Sequence, residues 1–326
     1  MAFRLKLVPD NTNIDFFRWQ VLTFGLSSVA AVLSVVALFV FGLNFGIDFK
    51  GGTTIRTEST QAVDVGEYRQ ALQPLDLGDV AITQVYDPTF REDQHVAQVR
   101  VSAQEGTEAV TPETISAIEA ALQEVDPSIT FPQIESVGPK VSGELIQTAI
   151  YAVLASLAAI SVYIWLRFEW QFAVGAIVSL LHDVLITMGV FAAFQIKFDL
   201  TTIAALLTIV GYSINDTVVV FDRLRENLMK YKKRPLRDLM NLSVNETLSR
   251  TVMTSGTTLV ALIALLILGG DVIRGFVFAI TFGILIGTYS SVYIAKNVVL
   301  WLGVKRDWSK KDPEQDGSPF SNAEAP

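Results

Sequence analysis

The sequence predicts a polytopic α-helical membrane protein in which six transmembrane helices carry one α+β domain outside the bilayer. Three observations favour this fold class. The 326-residue chain is 51% hydrophobic and only 18% charged, with a mean hydropathy of +0.42, which is too apolar for an ordinary soluble protein. Six windows are almost free of charge over about 20 residues, the length that spans a bilayer core. One acidic segment separates the first window from the other five.

The six windows are predicted membrane spans, and the first of them is predicted to be retained. They cover residues 21–43, 145–166, 170–194, 200–221, 252–269 and 275–302. The first apolar run is too long for a cleaved signal peptide, and VFGLNFGID is not a small-residue cleavage site.

Basic residues predict the orientation. With six spans, the two termini, the link between spans two and three and the link between spans four and five lie on one side. These segments contain Arg4, Lys6, Arg18, Arg167, Arg223, Arg225, Lys230, Lys232, Lys233, Arg234, Arg237, Lys305, Arg306, Lys310 and Lys311. The short loops opposite contain only Lys197 and Arg274, so the positive-inside rule predicts that both termini are cytoplasmic.

This orientation divides the chain into regions. A cytoplasmic N-terminus (1–20) and the first transmembrane helix (21–43) precede an outer, periplasmic domain (44–142). The remaining helices follow (143–302) and include a basic cytoplasmic loop at 222–250. The tail (303–326) has the composition of a disordered segment.

The outer domain consists of short alternating elements. TTIRTES, VAITQVY, HVAQVRVSA and SITFPQIESV are predicted strands, whereas VGEYRQALQPL and TPETISAIEAALQEV have helical spacing. Thr111 can cap the second helix, and Pro112 suits its first turn. The order β-α-β-β-α-β predicts a ferredoxin-like domain, a fold that names no function by itself.

The outer domain shows no sign of catalytic or metal chemistry. Between Asp48 and Lys140 lie 16 acidic and 6 basic residues, which we interpret as a solvated acidic surface. We find no metal-ligand cluster, no nucleophile with its base and no glycine-rich phosphate loop. The chain has no cysteine, which excludes disulfides. We therefore predict neither an enzyme nor a metal or cofactor site.

One carboxylate is predicted near the middle of the bilayer. Asp183 follows His182 in the third span, within SLLHDVLIT. Counted from position 170 at 1.5 Å per residue, it lies about 20 Å deep. Ionisable residues in spans are costly and usually face the interior of a bundle. Asp183 is therefore a candidate for a proton relay. The structural alternative is that His182 satisfies the carboxylate locally.

A second carboxylate and an arginine are predicted at comparable depth in the fourth and fifth spans. Asp216 lies in GYSINDTVVVFDRLREN, flanked by Ser213 and Asn215 as supporting polar groups, and Arg250 opens the fifth span in LSRTVMTSGTT. Because these spans run antiparallel, the two side chains can pair. Alone in a low dielectric Asp216 would be protonated, whereas beside Arg250 it would favour the ionised form. The hypothesis is a proton carrier; a static structural pair is the alternative.

The basic loop at 222–250 carries an apolar stripe of Leu236, Leu239 and Met240. We interpret it as an amphipathic segment that lies on the inner membrane surface, against anionic lipid. Binding of nucleic acid is the weaker alternative, because aromatic stacking residues are missing there.

Four motifs resemble the SecD/SecF family of bacterial Sec accessory membrane proteins. FGIDFKGGT (Phe45–Thr53) is similar to the signature after the first helix of that family. LHDVLIT, GYSINDTVVVFDRLREN and LSRTVMTSGTT are similar to its SecF members in particular. The resemblance runs from about residue 13 to 302, and the outer domain is much smaller than SecD members have.

The resemblance implies a place in the resistance-nodulation-division superfamily and in protein export across the bacterial inner membrane. It implies SecD, the SecYEG channel and YajC as partners, and a preprotein, pushed by the motor SecA, as the substrate. It implies coupling to protons, although sodium remains open because a carboxylate with Ser and Asn neighbours serves either ion. Asp216 and Arg250 match the essential aspartate and arginine of the family, and Asp183 matches its HD pair.

The glycine motif after the first span has two interpretations. Gly46, Asp48, Gly51 and Gly52 belong to the family signature, and the last two glycines tolerate backbone change that would suit a hinge. The alternative, which we favour, is a tight turn that enters the first strand.

Two other functions compete with protein export. A small-molecule or lipid exporter of the same superfamily usually has twice as many helices and larger outer domains. A non-conducting scaffold of the translocase would use the outer domain only to bind partners. Charge-neutral substitution at Asp216 discriminates between coupling and scaffolding.

Overall fold

The computed structural model describes residue 9 and residues 12–87, 89–102 and 110–304, except for the side chain of Asp271. The tail predicted to be disordered lies almost entirely outside these ranges, as do the basic residues at its start and those before residue 9. The described elements follow one another along the chain as α1 (Gln20–Val40), β1 (Asn44–Phe45), α2 (Ile47–Lys50), β2 (Gly52–Ser59), α3 (Val65–Leu72), β3 (Val80–Val85), β4 (His95–Ser102), α4 (Pro112–Val125), β5 (Thr130–Val137), α5 (Pro139–Arg167), α6 (Trp170–Ala193), β6 (Lys197–Phe198), α7 (Leu200–Lys230), α8 (Leu236–Leu268), α9 (Asp271–Ser290), a π-helical segment (Ser291–Ala295) and α10 (Lys296–Leu302).

Six helices within the described residues are long and apolar enough to cross a membrane. They are α1, α5, α6, α7, α8 and the continuous helix formed by α9, the π-helical segment and α10. The prediction of six spans is therefore confirmed. The α/β domain lies on one side of this bundle, here named the domain side. The N-terminal segment 12–19, the end of α10 and the short links α5–α6 and α7–α8 lie on the opposite side.

The segment predicted as a basic loop at 222–250 is helical for most of its length. α7 extends through its first part, and α8 begins in its second part. The prediction that its apolar stripe lies on the membrane surface is wrong, because Leu239 and Met240 are buried in a core cluster with Phe17 and Leu228. The helical apolar spacing continues through the charged sequence, so the stripe packs against neighbouring helices.

The α/β domain has a four-stranded antiparallel sheet with the strand order β3-β4-β2-β5. β4 separates β2 from β3, which α3 connects, and β2 separates β4 from β5, which α4 connects. The domain therefore contains two interlocked split β-α-β units, the arrangement of a ferredoxin-like fold. Both helices pack over one core that includes Ile55, Tyr68, Val99, Ile118 and Leu122.

Several contacts join the α/β domain to the bundle, including the following three. β1, which follows α1, pairs in parallel with β6, which precedes α7. The Ser142 hydroxyl at the start of α5 donates to the Ile47 carbonyl of α2. The Arg274 guanidinium of α9 donates to the buried carboxylate of Asp87 at 3.0 Å and to the Tyr86 carbonyl at 3.2 Å. The ends of α1, α5, α7 and α9 are thus all tied to the domain.

Small residues let α9 approach α7 closely. A Cβ atom at Gly283 would lie 2.3 Å from Cδ1 of Ile209, and one at Gly287 would lie 3.0 Å from Cβ of Ser213. This tight contact lets Ser213 of α7 and Ser290 of α9 both donate to the carboxylate of Asp183 on α6.

Candidate functional site

Asp183 lies at the centre of a hydrogen-bonded cluster between three helices. It is only 1% exposed. Its Oδ2 accepts hydrogen bonds from the hydroxyls of Ser213 on α7 (2.7 Å) and Ser290 on α9 (2.8 Å). Its Oδ1 lies 3.0 Å from Nδ1 of His182. The Ser290 hydroxyl also bonds that of Ser179, one turn before Asp183 on α6, so the cluster links α6, α7 and α9.

The other ring nitrogen of His182 is buried without a partner. Within the part of the chain that the structure describes, Nε2 has no hydrogen bond. The side chain borders an open groove of about 520 Å³ that is lined by residues of α1, α6 and α9. The local pairing with Asp183 that the sequence suggests is present, but the neighbouring serines supply most of the hydrogen bonds to the carboxylate.

Asp216 occupies a second buried position between α7, α8 and α9. It is 3% exposed. Its Oδ2 accepts a hydrogen bond of 3.4 Å from Ser255 on α8, and the Ser255 hydroxyl also bonds that of Thr288 on α9 at 2.8 Å. The position of Asp216 inside the bundle agrees with the sequence analysis, but its observed partners were not among the residues selected there.

The two carboxylates are connected through shared helices. Ser213 and Asp216 lie three residues apart on α7, which is an axial separation of about 4.5 Å. Thr288 and Ser290 lie two residues apart on α9, which is an axial separation of about 3 Å. A shift of α9 relative to α7 would therefore change the surroundings of Asp183 and of Asp216 together.

Arg250 does not pair with Asp216 in this structure. Among the described residues no ion pair joins the two side chains, and Arg250 is exposed. The buried stripe of α8 consists of Thr247, Thr251 and Ser255, which leaves Arg250 about 100° away from that face. Its guanidinium is still near enough for a through-space attraction to the Asp216 carboxylate.

Arg250 instead borders a groove that is open on the outside of the bundle. The groove has a volume of about 850 Å³ and is also lined by Asn215, Thr247, Asp222 and Glu246. Asn215 is exposed, so it points away from Asp216, next to which the sequence analysis placed it. Ser213 likewise bonds Asp183 and not Asp216. Neighbouring positions on a helix face different directions, and chain proximity alone could not assign these side chains.

Ion pairs stiffen the side of this groove that lies opposite the domain. Arg223 donates to Glu246 on α8 (2.7 Å) and to Glu226 (2.6 Å). Asn227 also donates to Glu246 (2.7 Å). Exposed pairs of this kind contribute little individually, but this network joins the C-terminal part of α7 to the N-terminal part of α8.

The glycine motif fixes the start of α7. The Leu200 amide donates to Oδ2 of Asp48 at 3.0 Å, and the Gly46 amide donates to the Phe198 carbonyl at 2.8 Å. A Cβ atom at Gly46 would lie 3.1 Å from Cε of Lys197. The motif therefore connects the entrance of the α/β domain to the helix that carries Asp216.

The two glycines that follow adopt backbone angles that favour glycine. Gly51 has φ 72° and Gly52 has φ 123°. These values suit the tight turn into β2 that the sequence analysis favours over a hinge. Within the described residues, no group of three or more His, Asp or Glu side chains could hold a metal ion.

Sequence reasoning missed Ser255, Thr288 and Ser290, which surround the two aspartates. They lie in TSGTT and GTYSS, whose small residues are also typical of helix packing. The missing signal was helical spacing: Thr247, Thr251 and Ser255 recur every four residues, on the face opposite the lipid. It also missed Lys296, which is buried near the end of the sixth span.

Two family profiles match the chain. The profile described as "Protein export membrane protein SecD/SecF, C-terminal" matches residues 117–305. The profile described as "SecD/SecF GG Motif" matches residues 36–63, which include the segment that holds the start of α7.

Similar proteins cover the whole chain. "Protein translocase subunit SecF" of Cereibacter sphaeroides is 69% identical over 325 residues and covers 100% of both chains. The protein of the same name from Rhodobacter capsulatus is 64% identical and covers 98% of this chain and 100% of its own. The one from Rickettsia akari is 38% identical and covers 91% of this chain and 94% of its own.

Solved structures give the same result for the fold. The crystal structure of SecDF, a translocon-associated membrane protein from Thermus thermophilus, has a TM-score of 0.81 and 37% identity, with 91% of this chain and 39% of that chain covered. SecDF in a super-membrane-facing form has a TM-score of 0.64 and 38% identity, with 93% and 40% covered. The chain thus spans about two fifths of the SecDF chains. Because its sequence matches full-length relatives from end to end and its fold matches SecDF, the chain belongs to the SecD/SecF family of protein export membrane proteins, on its SecF branch.

Proposed function

We propose that this chain is a SecF-type subunit of the Sec translocase accessory complex and uses the proton motive force in late steps of preprotein export. Its full-length relatives are named protein translocase subunits, which supports the first part. The second part rests on two buried carboxylates, Asp183 and Asp216, inside a bundle that is tied to a soluble domain.

The carboxylates can bind and release a proton without losing their hydrogen bonds. Among the described residues, Asp183 accepts from two hydroxyl groups of neighbouring helices and Asp216 from one. A hydroxyl donates to a carboxylate and accepts from a carboxylic acid, so both protonation states find partners. The charge itself is costly in the interior of a membrane bundle. A change of protonation therefore favours a different arrangement of the surrounding helices.

Arg250 is the cation that responds to this change. When Asp216 is ionised, it attracts the guanidinium from the groove, and α8 turns toward α7. When Asp216 binds a proton, the attraction ends and Arg250 returns to the groove. The pair predicted from the sequence is, in this proposal, one state of the cycle, and the described structure represents the other.

The movement reaches the soluble domain through α7. Asp216 lies 16 residues from the start of this helix, which is about 24 Å. The Asp48 carboxylate holds that start against the entrance of the domain. Movement of α7 thus moves the domain, which in the proposed orientation lies in the periplasm and acts on the emerging preprotein.

The proposed setting is the bacterial inner membrane, with both termini in the cytoplasm. SecD is the proposed pairing subunit, because the SecDF chains are more than twice as long as this one and match it over about two fifths of their length. SecYEG, YajC and the translocating preprotein are further proposed partners. No cofactor is proposed, and the coupling ion is H⁺.

Export into membrane vesicles tests the proposal. The variant Asp216→Asn removes the charge and keeps the size of the side chain. We expect it to assemble with SecD and to lose only the part of export that depends on an imposed proton gradient. Asp222→Asn is the matched control, since Asp222 lies on the same helix but pairs with Arg167 at the half-exposed end of the bundle.

The same samples distinguish the alternatives, which are a scaffold, coupling to sodium and a structural role for the carboxylate. If Asp216→Asn exports as well as the parent under a gradient, the chain is a scaffold in which the buried carboxylates are structural. If the gradient effect persists without a pH difference but disappears without Na⁺, the coupling ion is sodium. Loss of assembly in Asp216→Asn alone would instead show a structural requirement for the carboxylate.

A further inference from the structure

Lys296, the first residue of α10, is buried without a polar partner. It is 1% exposed, and within the described part of the chain its Nζ has no hydrogen bond and no ion pair. A buried ammonium group normally has a counter-ion or several acceptors. Its position therefore requires another source of stabilisation.

Three aromatic rings surround the ammonium group. Nζ lies 4.1 Å from the ring centroid of Phe17, 5.1 Å from that of Tyr293 and 5.2 Å from that of Phe16. Each distance is within the range of a cation–π interaction, which is strongest where water is excluded. Two of the three rings belong to the N-terminal segment 12–19, so Lys296 attaches that segment to the bundle.

Hydrogen bonds hold the same segment on α8. Asn245 accepts from the Ile14 amide (2.8 Å) and donates to the Ile14 carbonyl (2.9 Å). Asn241 accepts from the Phe16 amide (2.9 Å) and also donates to the Ile14 carbonyl. Within the segment these amide side chains bond backbone groups, and they position its two phenylalanines over Lys296.

Within the described residues, unpaired polar atoms lie next to Lys296 on α10 and on α6, which packs against α10. Asn297 is fully buried, and neither its Nδ2 nor its Oδ1 has a partner among the described residues. The same is true of Oε1 of Gln171, in the first turn of α6, which packs against α10. Buried polar atoms without protein partners are positions where ordered water binds.

A π-helical segment connects this region to the Asp183 cluster. It runs from Ser291 to Ala295, between Ser290, which donates to Asp183, and Lys296. π-Helical turns inside α-helices are frequent at functional sites. Lys296 therefore lies about 9 Å along the helix axis from the serine that bonds the buried carboxylate.

We propose that the N-terminal segment 12–19 is a cover, pinned by Lys296 in its aromatic cage, that closes a water route from the opposite side of the bundle to the Asp183 cluster. Release of Phe16 and Phe17 exposes Lys296 and Asn297 to water, and the segment closes the route again when the rings return. Lys296 acts as a positioning residue, because it holds the cover and touches no transported group.

The charged groups around Lys296 affect how firmly the N-terminal segment is held against it. Asp15, next to the two phenylalanines, attracts the ammonium group through space, and Arg237 of α8 repels it. The Arg237 guanidinium carbon also lies 5.2 Å from the ring centroid of Phe17. Asp15, Phe16 and Phe17 belong to the segment, so the charge attraction and these two ring contacts draw the segment toward Lys296.

Thiol labelling tests the cover directly, because the native chain has no cysteine. The full chain is assembled with SecD in membrane vesicles, and Asn297→Cys is labelled with a membrane-impermeant maleimide from the side of the N-terminus. We expect slow labelling when Asn297→Cys is the only substitution, and this protein is the parent for the variants below. We expect labelling about ten-fold faster when Lys296→Met is added, the change in an opening equilibrium that a loss of about 1.4 kcal/mol produces.

Two control substitutions distinguish loss of the Lys296 contact from a general disruption of the fold. Lys296→Arg keeps the cation over the rings and should label as slowly as the parent. Lys230→Met removes an exposed lysine whose Nζ lies 5.1 Å from the single ring of Tyr231, and it should not change the rate. Ser291→Cys serves as the reporter if Asn297→Cys fails to assemble.

Three results would overturn the proposal. They are fast labelling in the parent, equal rates with and without Lys296→Met, and fast labelling with Lys296→Arg. The inference depends on the proposed function in one respect, namely that the water route would serve proton transfer at the Asp183 cluster. Labelling needs neither a gradient nor export. The labelling experiment can therefore refute the cover without affecting the role of Asp216, and the export experiment can refute the role of Asp216 without affecting the cover.

Discussion

At the scale of single residues, Asp183 and Asp216 differ in how firmly they are held. Asp183 accepts from two serine hydroxyls at 2.7 and 2.8 Å and lies beside His182. Asp216 accepts one longer hydrogen bond, from Ser255 at 3.4 Å. The more loosely held carboxylate is the better candidate to change partners, which is why the proposed cycle assigns the exchange with Arg250 to Asp216.

Removing one donor from Asp183 should destabilise the bundle. Ser290→Ala leaves the buried carboxylate with one serine donor fewer, and we expect the free energy of unfolding to fall by about 1–2 kcal/mol. Unfolding of the purified protein in detergent by increasing denaturant measures this change. Ser28→Ala is the control, because its exposed hydroxyl bonds only the Phe24 carbonyl of its own helix. A loss no larger than in the control would mean that Ser290 does not support Asp183.

The sequence identified both aspartates but not their partners. Charge inside an apolar span is a strong signal, since it is rare and costly. Ser, Thr and Gly carry no such signal, because the same residues serve helix packing and hydrogen bonding. Whether Ser213 turns toward Asp216 or toward Asp183 depends on the rotation of α7 relative to α6, and that rotation is set by the tertiary packing.

At the scale of elements, the helices and strands of the α/β domain could be predicted from local sequence patterns. The side chain of Thr111 accepts from the Thr114 amide and Pro112 begins α4, as the capping pattern predicts. Each predicted strand matches an observed one, because alternating β-branched residues face a single core. The link between spans four and five was harder to predict, since its charges suggested a loop whereas its apolar spacing continued both helices.

The acid stability of this domain should depend on Asp126, at the end of α4. Burial raises the pKa of Asp126, but hydrogen bonds from Ser59 and Ser128 outweigh that effect and hold the pKa below its usual value. A lowered folded-state pKa contributes stability above the unfolded value of about 4, and this contribution is lost as the pH falls through the folded value.

Asp126→Asn should therefore reduce the acid sensitivity of the domain. We expect the parent domain to lose stability below about pH 4 more steeply than the variant, as followed by circular dichroism of the full protein in detergent. Asp64→Asn is the comparison, because Asn retains the N-cap of α3 and Asp64 accepts from the Gly66 and Glu67 amides instead of from the serines around Asp126. Equal slopes in the parent and Asp126→Asn would contradict this assignment.

At the scale of the whole molecule, α7 is the element that joins the carboxylates to the soluble domain. Its start is held by Asp48, and the Arg274–Asp87 contact ties α9 to the same domain. Two of the helices around Asp216 therefore have direct connections to the domain, whereas α8 has none of the three contacts described above. This asymmetry lets α8 move while α7 and α9 transmit the change.

Asp48→Ala should uncouple the domain from the bundle. It removes the acceptor of the Leu200 amide, at a cost of about 0.5–2 kcal/mol for a lost cap. We expect normal assembly with SecD and a reduced response of export to the proton gradient, with recovery in Asp48→Asn, which keeps an acceptor. Asp64→Ala removes a cap within the domain and should leave the gradient response unchanged. Equal effects of Asp48→Ala and Asp64→Ala would mean that the contact with α7 does not transmit movement.

Proton flux during export tests the central claim most directly. Vesicles that contain the assembled translocase and a trapped pH-sensitive dye would be given an imposed gradient, and export of a preprotein would then be started. We predict an export-dependent proton flux with the parent and with Asp222→Asn, and none above background with Asp216→Asn. An export-dependent flux in Asp216→Asn equal to that of the parent would contradict the account, because the coupling ion would then travel without this carboxylate.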